Sequence, residues 1–388
     1  MCGLEWSLKI QLLPNRTATD WSRVSLALIE MRRAKLRFGL LTVAVSLLIF
    51  LVLFLTTLSS ALVKSFTGAI EGLDAQVLAY STTARDNLQA SRLEPSTVAK
   101  VRKVPGVAKA AGLATSTTSA QLPEGKSDLQ VFGFDPAGPG EPTSVTDGRL
   151  PTALNEAAVD VPGATLGSTI TLEPSKSKLT VVGLLDGAQF SAAPTAYVTL
   201  SSYEAVVRAA NPKIPFVPYN AIAVTVVPGA SAATVADSIT ADVPALKGYT
   251  LDDAVALIPG VESVSQTFGI LVALTFIIGI VVIGFFFLIL TVQKLRVFTL
   301  LRANGASNSR LAGVVAVQIT AVVVIAGALA VLLVSGALKG ISTGIPVSLS
   351  PALAAGTVAA VLVCSLAAGL LSIRRIRKID PATAAGAR

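Results

Sequence analysis

The chain has 388 residues, 52% of them hydrophobic and 14% charged, with a mean hydropathy of +0.70; an ordinary soluble domain carries about a quarter charged residues, so a soluble globule is excluded. The formal charge of +8 does not mark a nucleic-acid groove, because aromatics are only 5% of the chain and apolar residues dominate. With no histidine and only Cys2 and Cys364, His-containing zinc sites, His-based triads and a disulfide framework are also excluded.

Residues 1–37 read as a basic cytoplasmic segment with an amphipathic helix. An uncharged run follows from Phe38 to Val63. About 20 such residues cross the hydrocarbon core, so this run predicts a first spanning helix that leaves the bilayer near Leu58. It exceeds the apolar stretch of a signal peptide and is preceded by a long polar segment, which favours a retained helix. Helical patterning continues through SSALVKSFTGAIEGLDAQVL, predicting a stalk to residue 73 with an apolar stripe of Leu62, Val63, Phe66, Ile70, Leu73 and Val77. Lys64, Thr67, Glu71 and Asp74 fall on another face.

Residues 74–261 read as one extracytoplasmic α/β (α+β) domain. Strands are predicted at Ala75 to Tyr80, Leu129 to Phe134, Ala157 to Val161, Leu179 to Leu184, Ala196 to Leu200 and Ala221 to Val227, separated by Gly/Pro turns. Helices are predicted at Thr97 to Lys103 behind Ser96, Tyr203 to Ala210 behind Ser201 and Ser202, and Ala232 to Ala241 behind Ser231. The segments PSTVAKVRKVPGVAKAAG and SAATVADSITADVPALKG read as two helix-then-strand units, a weak internal duplication. Gly125-Lys126-Ser127 lacks the glycine five positions earlier that a phosphate loop needs, Ala120 standing there, and reads as a surface turn.

Three further spanning helices are predicted at 262–293, 311–338 and 351–373, with a short outer loop at 339–350 and a tail at 374–388. The fold class is therefore an α-helical membrane protein with four transmembrane helices and one extracytoplasmic domain between helices 1 and 2. Segments 1–37, 294–310 and the tail together hold sixteen Lys/Arg and four acids, whereas the remainder holds fifteen and nineteen. The positive-inside rule then puts both termini in the cytoplasm and the large domain outside a plasma membrane.

Catalytic chemistry is sparse, so no enzyme and no metal site are expected in this chain. The spanning helices are nearly free of ionisable groups, which disfavours a self-powered transporter. Energy must arrive through the inner loop at 294–310, where Leu295, Phe298 and Leu301 form an apolar helical face, Gly305 stops the helix and Ser307 caps the next. An amphipathic helix there suits docking into a partner's groove.

Leu300-Leu301-Arg302-Ala303-Asn304-Gly305-Ala306-Ser307, together with Asp380-Pro381-Ala382 near the end, resembles the corresponding segments of the MacB/FtsX-type permeases of ATP-binding cassette systems. The family's frequent Glu-Ile-Gly before this motif is replaced by Val297-Phe298-Thr299, which removes one carboxylate. The resemblance implies a homodimer paired with two copies of a separate ABC ATPase that carries ATP and Mg, with Leu295, Phe298, Leu301, Arg302 and Gly305 coupling the two. The run LTVVGLLDGAQFSAAPTAYVTLSSYEAV and the compact outer domain look most like the permeases of Gram-positive haem-efflux pumps.

Substrate contacts are therefore expected on the stalk, from Glu71 and Asp74 as carboxylates, Phe66 and Ile70 as flanking apolar surface, and Tyr80 as a phenolate able to bind ferric iron weakly. Haem is a possible cargo; membrane lipid surrounds the spans and nucleic acid is not a partner. The competing readings are a signalling permease that regulates a cell-wall hydrolase and an exporter of antimicrobial peptides, lipids or drugs, since fold does not fix function.

Overall fold

The computed structural model describes residues 31–32, 34–136, 138–293, 308–339 and 349–376. The amphipathic segment before Met31, the coupling residues Leu295, Phe298, Leu301, Arg302 and Gly305, and the Asp380-Pro381-Ala382 motif lie outside them. The molecule divides into two compact units: one holds the described parts of Met1–Thr57, Phe268–Ile341 and Ser348–Arg388, and the described part of the other is Leu58–Thr267.

Four helices form the first unit: the N-terminal part of α1 (Lys35–Glu71), all but the first turns of α6 (Val261–Gln293), α7 (Asn308–Lys339) and α8 (Pro351–Ile376). All four are long and apolar enough to cross a membrane. Their shared core joins Leu41, Val45, Ile49 and Leu53 of α1 to Ile283 of α6, Val322, Ala326 and Ala330 of α7, and Val361 of α8. Hydrocarbon surroundings give no hydrophobic drive between helices, so close approach of small residues matters. Gly327 supplies it, because a Cβ there would stand 2.9 Å from a methyl of Val358.

The second unit contains ten strands and the short helices α2 (Thr97–Val101), α3 (Leu200–Ala210), α4 (Ala232–Asp242) and α5 (Leu251–Ala256). Strands β1 (Val77–Ser81), β2 (Val107–Leu122), β9 (Ala221–Val226) and β10 (Leu246–Thr250) form an antiparallel region in the order β10-β1-β9-β2. β1-α2-β2 and β9-α4-β10 are thus two split βαβ units, each straddling a strand of the other. The two helix-then-strand segments legible in the sequence occupy equivalent places in this pair.

The second half of β2 leaves that region and pairs with β3 (Gly125–Phe134) across a tight turn at Pro123-Glu124. Pairing then runs through β8 (Thr195–Thr199), β5 (Glu156–Asp160), β7 (Lys178–Leu185) and β6 (Thr169–Glu173), which returns to β2. This closes a six-stranded ring, leaving β4 (Val145–Gly148) on the rest of β7. Closure removes free edges, and Leu129, Val131, Val159, Leu172, Leu179 and Val198 belong to the apolar core of this region.

Period-two alternation gives the four-stranded region two apolar faces. Val77, Ala79, Ile222 and Val224 pack with Val101 of α2 and Ile239 of α4. Leu78, Tyr80, Ala221 and Ala223 belong to a second cluster that takes in Ala69 and Ile70 from the end of α1 and Leu73 just beyond it.

The predicted strands are all present, and Gly125-Lys126-Ser127 opens β3 beyond the turn. The stalk helix ends at Glu71, however, and Val77 lies in β1, so the apolar stripe is not one continuous helical face. The reason is a turn at Gly72–Asp74 held by loop 140–143: Thr143 N–H and Oγ1 donate to the Gly72 carbonyl at 2.8 and 2.9 Å, and Asp74 N–H donates to the Glu141 carbonyl. Cap positions differ too. Thr199, not Ser201 or Ser202, caps α3 by accepting the Ser202 N–H, and neither Ser96 nor Ser231 makes a side-chain cap bond.

The compact unit begins at Leu58 rather than at residue 74, since Ala69 and Ile70 are fully buried in its core. Burying an Ile side chain contributes about 1.5–3 kcal/mol. A fragment of residues 58–267 is therefore expected to unfold at a clearly higher urea concentration than one of residues 74–261. Equal midpoints would show that the stalk adds nothing to the domain.

Candidate functional site

The residues expected to meet cargo cluster where α1 joins the second unit. Glu71, on the last turn of α1, is exposed, and its Oε1 accepts a 2.6 Å hydrogen bond from Thr67 Oγ1. Thr67 is itself fully buried, so Lys64, Thr67, Glu71 and Asp74 do not form one solvent face. Asp74 is exposed, with its backbone tied to loop 140–143. Phe66 is half-buried; its ring lies 3.5 Å from where a Cβ on Gly260 would stand, so it covers the chain that leads into α6.

Two expected contacts are corrected. Ile70 has no exposed surface and Tyr80 is 2% exposed on β1, both enclosed in the core because they point from α1 and the sheet toward each other's apolar face. Burial pushes the Tyr80 phenol far above its ordinary value, and the neighbouring Tyr249 adds to this, so a phenolate at that position is disfavoured. The structure thus brings Phe66, Ile70 and Tyr80 into one cluster but leaves only Glu71, Asp74 and part of Phe66 open to solvent. Among the described residues no group of three or more His, Cys, Asp or Glu could hold a metal ion.

What sequence reading did not foresee is loop 186–194, which grips the stalk. A Cβ on Gly68 would stand 2.1 Å from the Gly187 carbonyl oxygen, so only glycine permits the approach. Ala69 N–H donates to the Gln189 carbonyl at 2.8 Å, while Ala192 and Ser191 N–H donate to the Ser65 and Phe66 carbonyls at 2.9 and 3.2 Å. Ser191 and Ala192 adopt left-handed φ of 51° and 56° to make these bonds, a conformation that costs about 1–3 kcal/mol per residue. From β8, the buried Tyr197 hydroxyl donates to the Ala69 carbonyl at 3.0 Å. The only signal in the sequence was Asp186-Gly187, which reads as an ordinary turn.

Electrostatics concentrate beside this loop. Asp160 Oδ2 accepts the Ala188 N–H at 2.7 Å. Burial raises its carboxyl above the usual value and Asp186 adds to this, opposed by the backbone N–H groups of Ala188 and Gly187 and by the Lys64 charge. Lys64 lies against Gly187, where a Cβ would meet its Nζ at 2.5 Å.

Family comparison accounts for both units. Residues 38–242 match the MacB-like periplasmic core domain, and residues 269–381 match the FtsX-like permease C-terminal family. The chain belongs to the MacB/FtsX-type ABC transporter permeases. An uncharacterized ABC transporter permease of Mycobacterium tuberculosis is 24% identical over 369 residues, covering 93% of this chain and 98% of the relative. Another, from Mycobacterium bovis, is 26% identical over 294 residues, covering 74% and 77%.

Among solved structures, the extracellular domain of the noncanonic ABC-type transporter YknZ from Gram-positive bacteria aligns with a TM-score of 0.30 and 15% identity, over 43% of this chain and 88% of that one. The periplasmic region of MacB from Actinobacillus actinomycetemcomitans aligns with a TM-score of 0.34 and 12% identity, over 49% and 96%. As a MacB/FtsX-type permease, the chain is the membrane subunit of an ABC system, with its large domain outside the membrane and an ABC ATPase as its partner.

The folded permease holds the Asp160 proton more tightly than the unfolded chain, so this group adds stability as pH falls through its folded value and costs stability above it. Asp160→Asn should therefore raise the thermal unfolding midpoint at neutral pH, with the gain vanishing in acid as the wild-type carboxyl protonates. A gain independent of pH would rule out buried charge as its cause.

Proposed function

We propose that this permease exports a small amphipathic compound from the outer leaflet, with haem as the candidate cargo and ATP hydrolysed by the partner ATPase. In this reading the chain works as a homodimer with two ATPase copies in the plasma membrane, both termini in the cytoplasm. The observation that carries the cargo reading is Glu71, an exposed carboxylate on the last turn of α1, five residues after the half-buried ring of Phe66. One carboxylate oxygen is engaged by Thr67, which fixes the rotamer; the other has no hydrogen-bond partner among the described residues. In a two-fold dimer each α1 would offer the same group to a shared cleft, so a flat cargo would meet a carboxylate from each side. A pump gains from weak ligation, because its cargo must leave.

The test is a haem titration of the detergent-purified permease, followed by its visible absorption spectrum. Glu71→Gln is expected to weaken binding and haem-stimulated ATPase activity in liposomes, leaving basal ATPase activity and the unfolding midpoint near wild type. Unchanged affinity and spectrum would remove Glu71 from the cargo site. Phe66→Ala is a less clean probe, since the ring also packs on the core.

Coupling is proposed to run through Leu295, Phe298, Leu301, Arg302 and Gly305. Leu301→Asp would place an unpaired charge on the apolar docking face, which costs several kcal/mol. Cargo-stimulated turnover should then be lost at normal expression; full turnover would overturn the docking assignment.

A further inference from the structure

In the outer domain an open groove of about 320 Å³ lies between Lys100, Lys103 and Val104, at the end of α2, and the Asp242–Ala245 segment that joins α4 to β10. That volume falls within the roughly 300–1,000 Å³ range of small-molecule sites.

Backbone hydrogen bonds fix both walls. Lys103 N–H donates to the Lys100 carbonyl at 3.1 Å, closing a turn that brings the two lysines to the same groove. Opposite them, Val243 N–H donates to the Ile239 carbonyl at 3.0 Å, and Thr82 N–H ties the Ala245 carbonyl to the end of β1 at 3.0 Å. Val104 and Val243 are buried and give the groove an apolar base, whereas Lys100, Lys103 and Asp242 are exposed.

The charged groups are left without partners. Elsewhere in this unit Arg149, Lys176, Arg208 and Lys247 meet carboxylates, and Arg92 and Arg102 donate to backbone carbonyls. Among the described residues the side chains of Lys100, Lys103 and Asp242 have no hydrogen-bond or ion-pair partner. Residues 95–123 hold four Lys/Arg and no acid, so neither lysine has a counter-charge close in sequence. Like charges one helical turn apart repel, and an anion held between them relieves that repulsion. Two lysines against one aspartate leave the groove with a net positive charge.

We propose that this groove binds a small amphipathic anion from the extracytoplasmic solution, its charged end held by Lys100 and Lys103 and its apolar body against Val104 and Val243. Asp242 repels a second negative group and so favours a ligand that is anionic at one end only. The site is separate from Glu71, and the inference does not depend on the cargo reading.

The experiment is ligand-observed saturation-transfer NMR of the full-length permease in nanodiscs, with empty nanodiscs subtracted. The probes are naphthalene-2-sulfonate and the neutral naphthalene-2-sulfonamide, which share a ring system. Wild type should bind the sulfonate about tenfold more tightly at low salt, the combined effect of two exposed ion pairs, and the preference should shrink as salt screens them. Replacing both lysines, as Lys100→Gln with Lys103→Gln, should abolish the preference, while Asp242→Asn should tighten sulfonate binding by removing a like charge. All three side chains are exposed, so the variants are expected to fold. No binding of the sulfonate, equal binding of the two probes by wild type, an undiminished preference in the double lysine variant, or unchanged or weaker sulfonate binding in Asp242→Asn would overturn the proposal.

Discussion

The backbone of α1 touches the backbone of loop 186–194 at Gly68 and Gly187, and the second unit is arranged around that contact. At this separation a side chain on Gly68 has no room, so the helix offers bare backbone there. The approach lets Ala69 N–H and the Ser65 and Phe66 carbonyls find partners in the loop. Those bonds offset the left-handed conformations of Ser191 and Ala192, and Tyr197 adds a buried hydrogen bond from the closed ring of strands. Ile70 is driven under the sheet as a result, which places the last turn of α1 in the apolar core of the second unit.

A second organising element is β2, whose sixteen residues serve two regions in turn. Val107 to Leu113 pair with β9, and Ala114 to Leu122 pair with β3. At the changeover Asn220 Oδ1 accepts the Thr115 N–H, while its Nδ2 donates to the Leu88 and Ser91 carbonyls. One buried amide thus satisfies three backbone groups where the ladder changes partner, a place where unpaired groups would otherwise be costly.

Features that follow from local chemistry were legible in the sequence. Long uncharged runs give the four helices, and alternation with Gly/Pro turns gives the strands that pack on a core. The helix-then-strand repeat anticipated the paired βαβ units because it is written in adjacent residues. Closure of the six-stranded ring was not legible, since β6 joins β2 to β7 through pairings fifty or more residues apart on the β2 side. The stalk misled for a related reason: the spacing of Ile70, Leu73 and Val77 fits a helix, but contacts with loop 140–143 end it at Glu71. For the candidate site, Glu71 and Asp74 were found as exposed carboxylates, whereas Tyr80 was mistaken for an accessible phenol because its burial depends on distant strands.

Along the outer part of α1 the positions that can change are few and lie in a row. Gly68, Ala69 and Ile70 are enclosed, whereas Ser60, Lys64 and Glu71 are exposed, spaced four and seven residues apart, with the buried Thr67 between the last two in the same row. That spacing keeps them on one side of a helix with 3.6 residues per turn. Mutation can therefore alter size and charge along this strip while the enclosed side preserves the attachment of the domain. Substitution is thus least constrained along this narrow strip and most constrained at Ala69, half a helical turn away, where any larger side chain would meet the core.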